Sequence, residues 1–350
     1  MASFEELLER WDGETAVIRR DRESGGWIFI CVHSTRRGPA GGGTRMRVYG
    51  RPADGLADAM RLSGAMTLKL AVAGLPLGGG KAVLAVPELP SGEARRTLLF
   101  RYAELVDSLG GTYLTSSDMN TGEADMDVIG ERTSYVFGRS LDAGGSGSPA
   151  PPTATGVFHG IRASLSHLDG IDDPAGRTVL VQGAGGVGSV LAEQLAAAGA
   201  SVVVADVDAE RAERVAGAVG GTSVPADDVY DVWCDVYAPC AVGATLNTDT
   251  VPRLRCRIVA GSANNQLREL EAAELLRERG ILYAPDYVIN AGGAIAIVGL
   301  EQLGWSRDEL DAALSRIGDT LRAVYERADT EGSSTASAAE WLAAERLEAS

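Results

Sequence analysis

The chain has 350 residues, 45% hydrophobic and 23% charged, a length for two domains and a balance for a globular protein. Its 48 acidic residues outnumber 32 basic ones, and the net charge of −16 sets nucleic-acid and anionic-membrane partners aside. The three histidines (His33, His159, His167) do not cluster and the four cysteines show no CxxC spacing, so no metal site is expected.

In chain order, "MASFEELLERWDG" (1–13) reads as a short acidic amphipathic helix and not a signal peptide. No apolar run reaches the length of a membrane span. A cytoplasmic setting is expected, with Cys31, Cys234, Cys240 and Cys256 as reduced, buried apolar residues. "WIFICVH" (27–33) reads as a strand. The run "LAVAGLPLGGGKAVLAV" (70–86) places Lys81 behind three glycines, with Lys69 just before the run. The phosphate-loop pattern fails here, because Leu75 stands at its first glycine and Ala82 at its Ser/Thr position.

Two lysines in so apolar a segment point to a shared pocket. Burial and a neighbouring ammonium would lower one lysine to a neutral base, leaving the other as a charged anchor. Gly78 to Gly80 read as clearance for a substrate beside Lys81.

"GEARRTLLFRYAELVDSLGG" (92–111) has helical apolar spacing and ends in a glycine pair. In "YLTSSDMNTGEADMDVI" (113–129), Asp118 follows a strand-like run and is the carboxylate that suits a lysine base. Asp125 and Asp127 read as solvent-facing or capping residues of the helix that starts near Glu123. The Gly/Ser/Pro-rich "DAGGSGSPAPPTATG" (142–156) reads as the domain boundary.

Beyond that boundary, strand, glycine turn, helix and strand follow in order. "RTVLVQ" leads into "GAGGVG" (Gly183, Ala184, Gly185, Gly186, Val187, Gly188), and the next strand ends at Asp206. In that context the pattern reads as a dinucleotide site. The glycines admit a pyrophosphate to a helix N-terminus, and Asp206 accepts from an adenosine ribose. A carboxylate there, with no arginine before Arg211, favours NAD over NADP. Further strands at "DVWCDVYAPC", "CRIVAGSA" and "GILYAPD" complete a doubly wound sheet, and the last forty residues read as helical.

Six stretches together resemble the glutamate/leucine/phenylalanine/valine dehydrogenase family. They are "GPAGGGTRM" (38–46), "MTLKLAVAGLPLGGGKAV" (66–83), "DMNTGEADMDVI" (118–129), "GAGGVG" (183–188), "AGSANNQL" (260–267) and "YAPDYVINAGGAI" (283–295). The resemblance implies an α/β protein with an N-terminal substrate and oligomerisation domain (1–145). A doubly wound Rossmann domain (150–285) follows, with a cleft between, and C-terminal helices (286–350) pack back toward the first domain. It also implies NAD-dependent oxidative deamination of an L-amino acid to a 2-oxo acid and ammonia by a homodimer or homo-octamer.

Carried over, Lys69 holds the substrate carboxylate, Lys81 is the general base and Asp118 moves a proton to and from the amine. Gly42 and Gly43 lie beside the carboxylate, and Asn264 and Asn265 contact substrate or nicotinamide. Thr153, Ala238, Pro239, Cys240, Ser262 and Ala263 join the cofactor site. A hydroxy-acid reductase built on a lysine and an aspartate is the alternative from another class, and it would need no ammonium.

The side-chain pocket would involve Gly41, Met66, Ala294 and Ile297. The family's glutamate enzymes carry a lysine at the position of Gly41, so glutamate would bury an unpaired charge here. Its leucine enzymes carry leucine there and valine at the position of Ala294. The smaller residues predict an enlarged pocket filled by phenylalanine, as in the actinomycete phenylalanine dehydrogenases, which share "GAMTLK" and "FGRSL". Leucine or valine, and after them tryptophan, are the alternatives. The family's "TAYGV" reads "TATGV" at 153–157, and its "DVGT" reads "DMNT" at 118–121, which places Asn120 next to the aspartate.

Overall fold

The computed structural model describes residues 4–348 and divides the chain into two units. The first contains residues 1–148, 297–304 and 343–350; the second contains 149–296 and 305–342. The C-terminal segment, expected as one body packing back, is thus shared out, most of it belonging to the second unit. Among the described residues no helix is long and apolar enough to cross a membrane.

In the first unit, α1 (Phe4–Trp11) precedes β1 (Thr15–Arg20), β2 (Trp27–Ser34), β3 (Ala40–Val48) and the long α2 (Pro52–Val72). Then come β4 (Gly78–Val86), α3 (Gly92–Asp107), β5 (Tyr113–Ser117) and α4 (Glu123–Gly130). The five strands form a mixed sheet in the order β1-β2-β4-β3-β5. Here β2 is antiparallel to β1 and β4, while β3 is parallel to β4 and β5. All nine residues of β4 are buried, as befits a central strand covered on both faces.

The two-residue strand period sorts that burial. Ala82, Leu84 and Val86 join Ile28, Ile30 and Leu98 in one core, and Val83 and Ala85 join Phe29, Leu56 and Met60 of the α2 side in another. Lys81, in step with Val83, therefore falls on the α2 face.

The three glycines before Lys81 are filled on every side, which corrects their reading as substrate clearance. A Cβ on Gly78 would lie 1.9 Å from the Ser34 carbonyl oxygen, and one on Gly80 would lie 2.8 Å from the Tyr113 ring. At Gly79 it would lie 2.2 Å from the backbone nitrogen of Thr67 and 2.1 Å from its Oγ1. Helix α2 thus rests on the bare backbone of β4, and the Thr67 hydroxyl also meets His33 Nδ1 at 2.9 Å.

The two units divide between residues 148 and 149, inside the stretch read as the domain boundary, and in the second unit its proline-rich end is already helical. Helix α5 (Ala150–Asp169) starts there because prolines at the first helical positions cost no hydrogen bond. The unit continues with β6 (Thr178–Gln182), α6 (Gly186–Ala197), β7 (Ser201–Ala205), α7 (Ala209–Ala218), β8 (Thr222–Ser223) and β9 (Val236–Pro239). It goes on with β10 (Ile258–Val259), α8 (Glu271–Glu278), β11 (Leu282–Tyr283) and α9 (Asp286–Ile289). Helix α10 (Gly292–Ile297) and a π-turn (Val298–Gln302) lead to α11 (Arg307–Glu331) and α12 (Thr335–Glu348). All six strands are parallel in the order β11-β10-β9-β6-β7-β8, and the chain reverses direction across the sheet between β6 and β9. Dinucleotides bind at such a switch point.

Replacing Gly79 with Ala would force α2 off β4. It should cost about 2–3 kcal/mol of stability, and more if the helix cannot shift. Thermal unfolding followed by circular dichroism should show a midpoint several degrees lower. Gly50→Ala, where a Cβ would meet nothing within 4 Å, should leave the midpoint unchanged.

Candidate active site

The first unit gathers a buried ionic cluster at the carboxyl end of β5. Lys81 Nζ lies 3.0 Å from Asp118 Oδ2, its side chain only 7% exposed, while the Asp118 side chain is 24% exposed. Gly43 of β3 faces the pair. A Cβ there would lie 2.6 Å from the Ser117 carbonyl oxygen, 2.9 Å from the Asp118 Cβ and 3.3 Å from Lys81 Nζ, so β3 can approach the pair this closely only because Gly43 has no side chain. Gly42 points the other way, its missing Cβ replaced by the Gly80 carbonyl oxygen at 1.8 Å.

Asp118 is fixed by the turn that follows it. Its backbone N–H donates to Thr121 Oγ1 (2.9 Å), and that hydroxyl donates to the Thr44 carbonyl (2.7 Å). Asn120 adopts a left-handed conformation (φ 61°) and its side-chain amide donates to the Met46 carbonyl. It is a turn residue tied to β3, as asparagine tolerates. Asp125 caps α4 by accepting from the Gly122 N–H and pairs with Arg95, and Asp127 accepts from the Ser140 N–H.

Burial pushes the Lys81 ammonium down from its ordinary pKa, against the opposing pull of Asp118. The cation that adds to this depression is Arg45, the part the sequence reading gave to Lys69. Burial also pushes the Asp118 carboxyl up, but Lys81 and Arg45 outweigh it and hold the group below the usual carboxylate range. Lys69 stands half-buried in the last turn of α2, and Met66 lies half-buried one turn earlier.

Nothing in "GPAGGGTRM" by itself marks Arg45 as part of the cluster. Its importance depends on β3 lying beside β5, which only sheet order reveals. Its other partner, Asp58, carries no sequence signal.

Beside Gly41, a Cβ would lie 3.1 Å from Leu77 Cδ1 and 3.4 Å from Leu70 Cδ1. The volume that glycine vacates is thus already lined by two leucines, each 2% exposed. Ala294 and Ile297 are carried three residues apart on α10.

The second unit assembles the dinucleotide elements. Gly183 has φ 103°, and a Cβ there would strike Ala241 at the end of β9. A Cβ on Gly188 would lie 1.8 Å from the Gly183 carbonyl oxygen, while one on Gly185 would meet nothing. The turn is therefore tight beneath and open above, with Gly186 and Val187 opening α6, which fits a pyrophosphate at a helix N-terminus.

Asp206 accepts from the Ala184 N–H (2.7 Å) and the Asp208 N–H (2.9 Å), so it is oriented by the glycine loop itself. The fold also brings Arg211 within 3.7 Å of it, closer than its distance along the chain implied. Arg211 is shared with Asp208 at 3.1 Å, and the local charge stays negative.

At the neighbouring strand ends, the Cys240 N–H donates to the Gln182 carbonyl next to Ala238 and Pro239 of β9. Asn264 Oδ1 accepts from Asn290 Nδ2 (2.9 Å), which also donates to the Ser262 carbonyl (3.1 Å). Asn290, within "YVINAGG", thus holds Asn264 in place. Asn265 is left-handed (φ 51°) and the Ala263 carbonyl accepts from Gln266 Nε2. Thr153 donates to the Pro149 carbonyl, and Thr155 Oγ1 accepts from Gln194.

Residues 18–135 match the Glu/Leu/Phe/Val dehydrogenase dimerisation domain, and residues 205–350 match Glutamate/Leucine/Phenylalanine/Valine dehydrogenase. The chain is 43% identical to a leucine dehydrogenase of Thermoactinomyces intermedius over 98% of its own length and 93% of the relative's. It is 43% identical to a valine dehydrogenase of Streptomyces coelicolor over 95% and 92%. An L-tryptophan dehydrogenase structure from Nostoc punctiforme superposes with a TM-score of 0.85 at 37% identity, covering 99% of this chain and 98% of that one. Dehydrogenases of this family depend on NAD(H), for which the second unit carries fitting elements. The chain belongs to the Glu/Leu/Phe/Val dehydrogenase family and is an amino-acid dehydrogenase.

Proposed function

We propose that the chain oxidatively deaminates branched-chain L-amino acids, leucine and valine, to their 2-oxo acids and ammonia. The observation that carries the substrate class is the pair of leucines against Gly41. The sequence reading expected an enlarged pocket and a phenyl ring, but Leu70 and Leu77 restore apolar bulk where the side chain was lost. The leucine and valine dehydrogenases at 43% identity support the same choice. The tryptophan dehydrogenase neighbour is the observation favouring aromatic substrates as a second reading.

NAD supplies the hydride acceptor. The chain's own residues do the rest. Lys69 takes the substrate carboxylate with the backbone of Gly42 and Gly43, and Asp118 receives a proton from the amine. Lys81, as the neutral amine its burial favours, removes a proton from the water that attacks the imine. Self-association through the first unit belongs to this reading, supported by the match of residues 18–135 to a dimerisation domain.

An assay of NADH oxidation with ammonium across 2-oxo acids tests the substrate class. 2-Oxoisocaproate and 2-oxoisovalerate should exceed phenylpyruvate and indolepyruvate in kcat/KM, and the reverse order would refute it. Leu70→Ala should move the ratio toward phenylpyruvate by about tenfold, with a stability loss of about 2–5 kcal/mol.

Lys81 must be neutral to act, so log kcat/KM for deamination should rise with unit slope on the acid side. It should level off at a lower pH than an ordinary lysine would give. Lys81→Ala should remove turnover while NADH fluorescence titration shows binding unchanged.

A further inference from the structure

The buried ion pair continues past Lys81. Arg45 Nε donates to Asp118 Oδ2 at 2.9 Å, the same oxygen that Lys81 approaches. Arg45 Nη1 reaches Asp58 Oδ2 at 2.9 Å, and that oxygen also accepts from the Tyr49 hydroxyl at 2.7 Å. Arg61 engages the other Asp58 oxygen at 2.9 Å. The side chains of Arg45 and Asp58 are 12% and 13% exposed, so their geometry is fixed in a nearly dry setting. A planar guanidinium bound at two carboxylates from β3 to α2 is locked in both plane and register. Lys81 and Arg45 both meet Oδ2 of Asp118, and the Asp118 side chain, 24% exposed, is more open than those of Lys81, Arg45 and Asp58.

We propose that Arg45, oriented by Asp58 and Tyr49, is a positioning residue that pins Oδ2 of Asp118 and leaves Oδ1 to exchange the proton with the substrate amine. This rests on the deamination reading above. An isolated Lys81–Asp118 pair would be a tight, mutually satisfied salt bridge in which the ammonium is strongly favoured. Arg45 competes for the same oxygen and repels the ammonium, while Asp58 draws the guanidinium back and moderates that repulsion.

The charged and titratable groups on the surrounding elements include Arg45, Arg47 and Tyr49 from β3 and its end, His33 from β2, Lys81 from β4, and Asp58, Arg61 and Lys69 from α2. Arg95 and Asp125, from α3 and α4, pair with each other.

The two ends of the relay therefore act oppositely on Lys81, which a purely structural role would not do. In the full-length enzyme with NAD and leucine, Arg45→Gln should lower kcat by about 10–100-fold. Its acid limb of kcat/KM should move up by about one pH unit. Asp58→Asn should move that limb down. Arg45→Lys should keep the limb near its wild-type position, since the charge remains, but not restore kcat, since the fork is lost. NADH titration and circular dichroism report folding; if Arg45→Gln fails to fold or turn over, Asp58→Asn and Tyr49→Phe decide.

Limbs that superimpose on wild type, or that move the same way in Arg45→Gln and Asp58→Asn, would overturn the proposal. A wild-type enzyme that forms no NADH with any amino acid would instead overturn the deamination reading.

Discussion

Helix α2 can reach its place only because Gly79 has no side chain. The backbone of Thr67 occupies the space a Cβ would need, and this contact lays α2 directly on the central strand. From it follow the position of Lys69 in the last turn of α2, the reach of Asp58 to Arg45, and the enclosure of Lys81. Leu70 and Leu77 flank the same contact and line the space beside Gly41. A single close approach of helix to strand thus sets the site's charge arrangement and its apolar wall.

The cluster that results is balanced and unequal. Two cations meet one oxygen of Asp118, and a second carboxylate holds the further cation. Burial alone would neutralise the lysine and protonate the aspartate. The ionic neighbours keep the aspartate charged and leave the lysine depressed. The acid–base roles proposed for Lys81 and Asp118 need that separation, and one salt bridge between two side chains would not supply it.

The second unit uses different physics. At its glycine turn, geometry excludes side chains below and opens space above. Asp206 is held by two backbone N–H groups, one of them from the glycine loop, so its carboxylate is oriented by main chain. Arg211, distant along the chain, joins it because α7 follows β7 after a short turn.

Much of this was legible in the residues. The βα alternation after residue 177, the glycine fingerprint with Asp206, and the buried character of Lys81 followed from period and composition, because these depend on neighbours along the chain. Asp118 was found from its partner chemistry and from the family resemblance. The purpose of Gly78 to Gly80, the bulk restored beside Gly41 and the Arg45–Asp58 relay were not legible. Each depends on which strand lies beside which and on what another element places into the gap. The sequence by itself determined which groups are apolar, charged or bare. Only the tertiary structure decided which of them share a space, since β3, β4, β5 and α2 meet through pairing and close packing that no local pattern encodes.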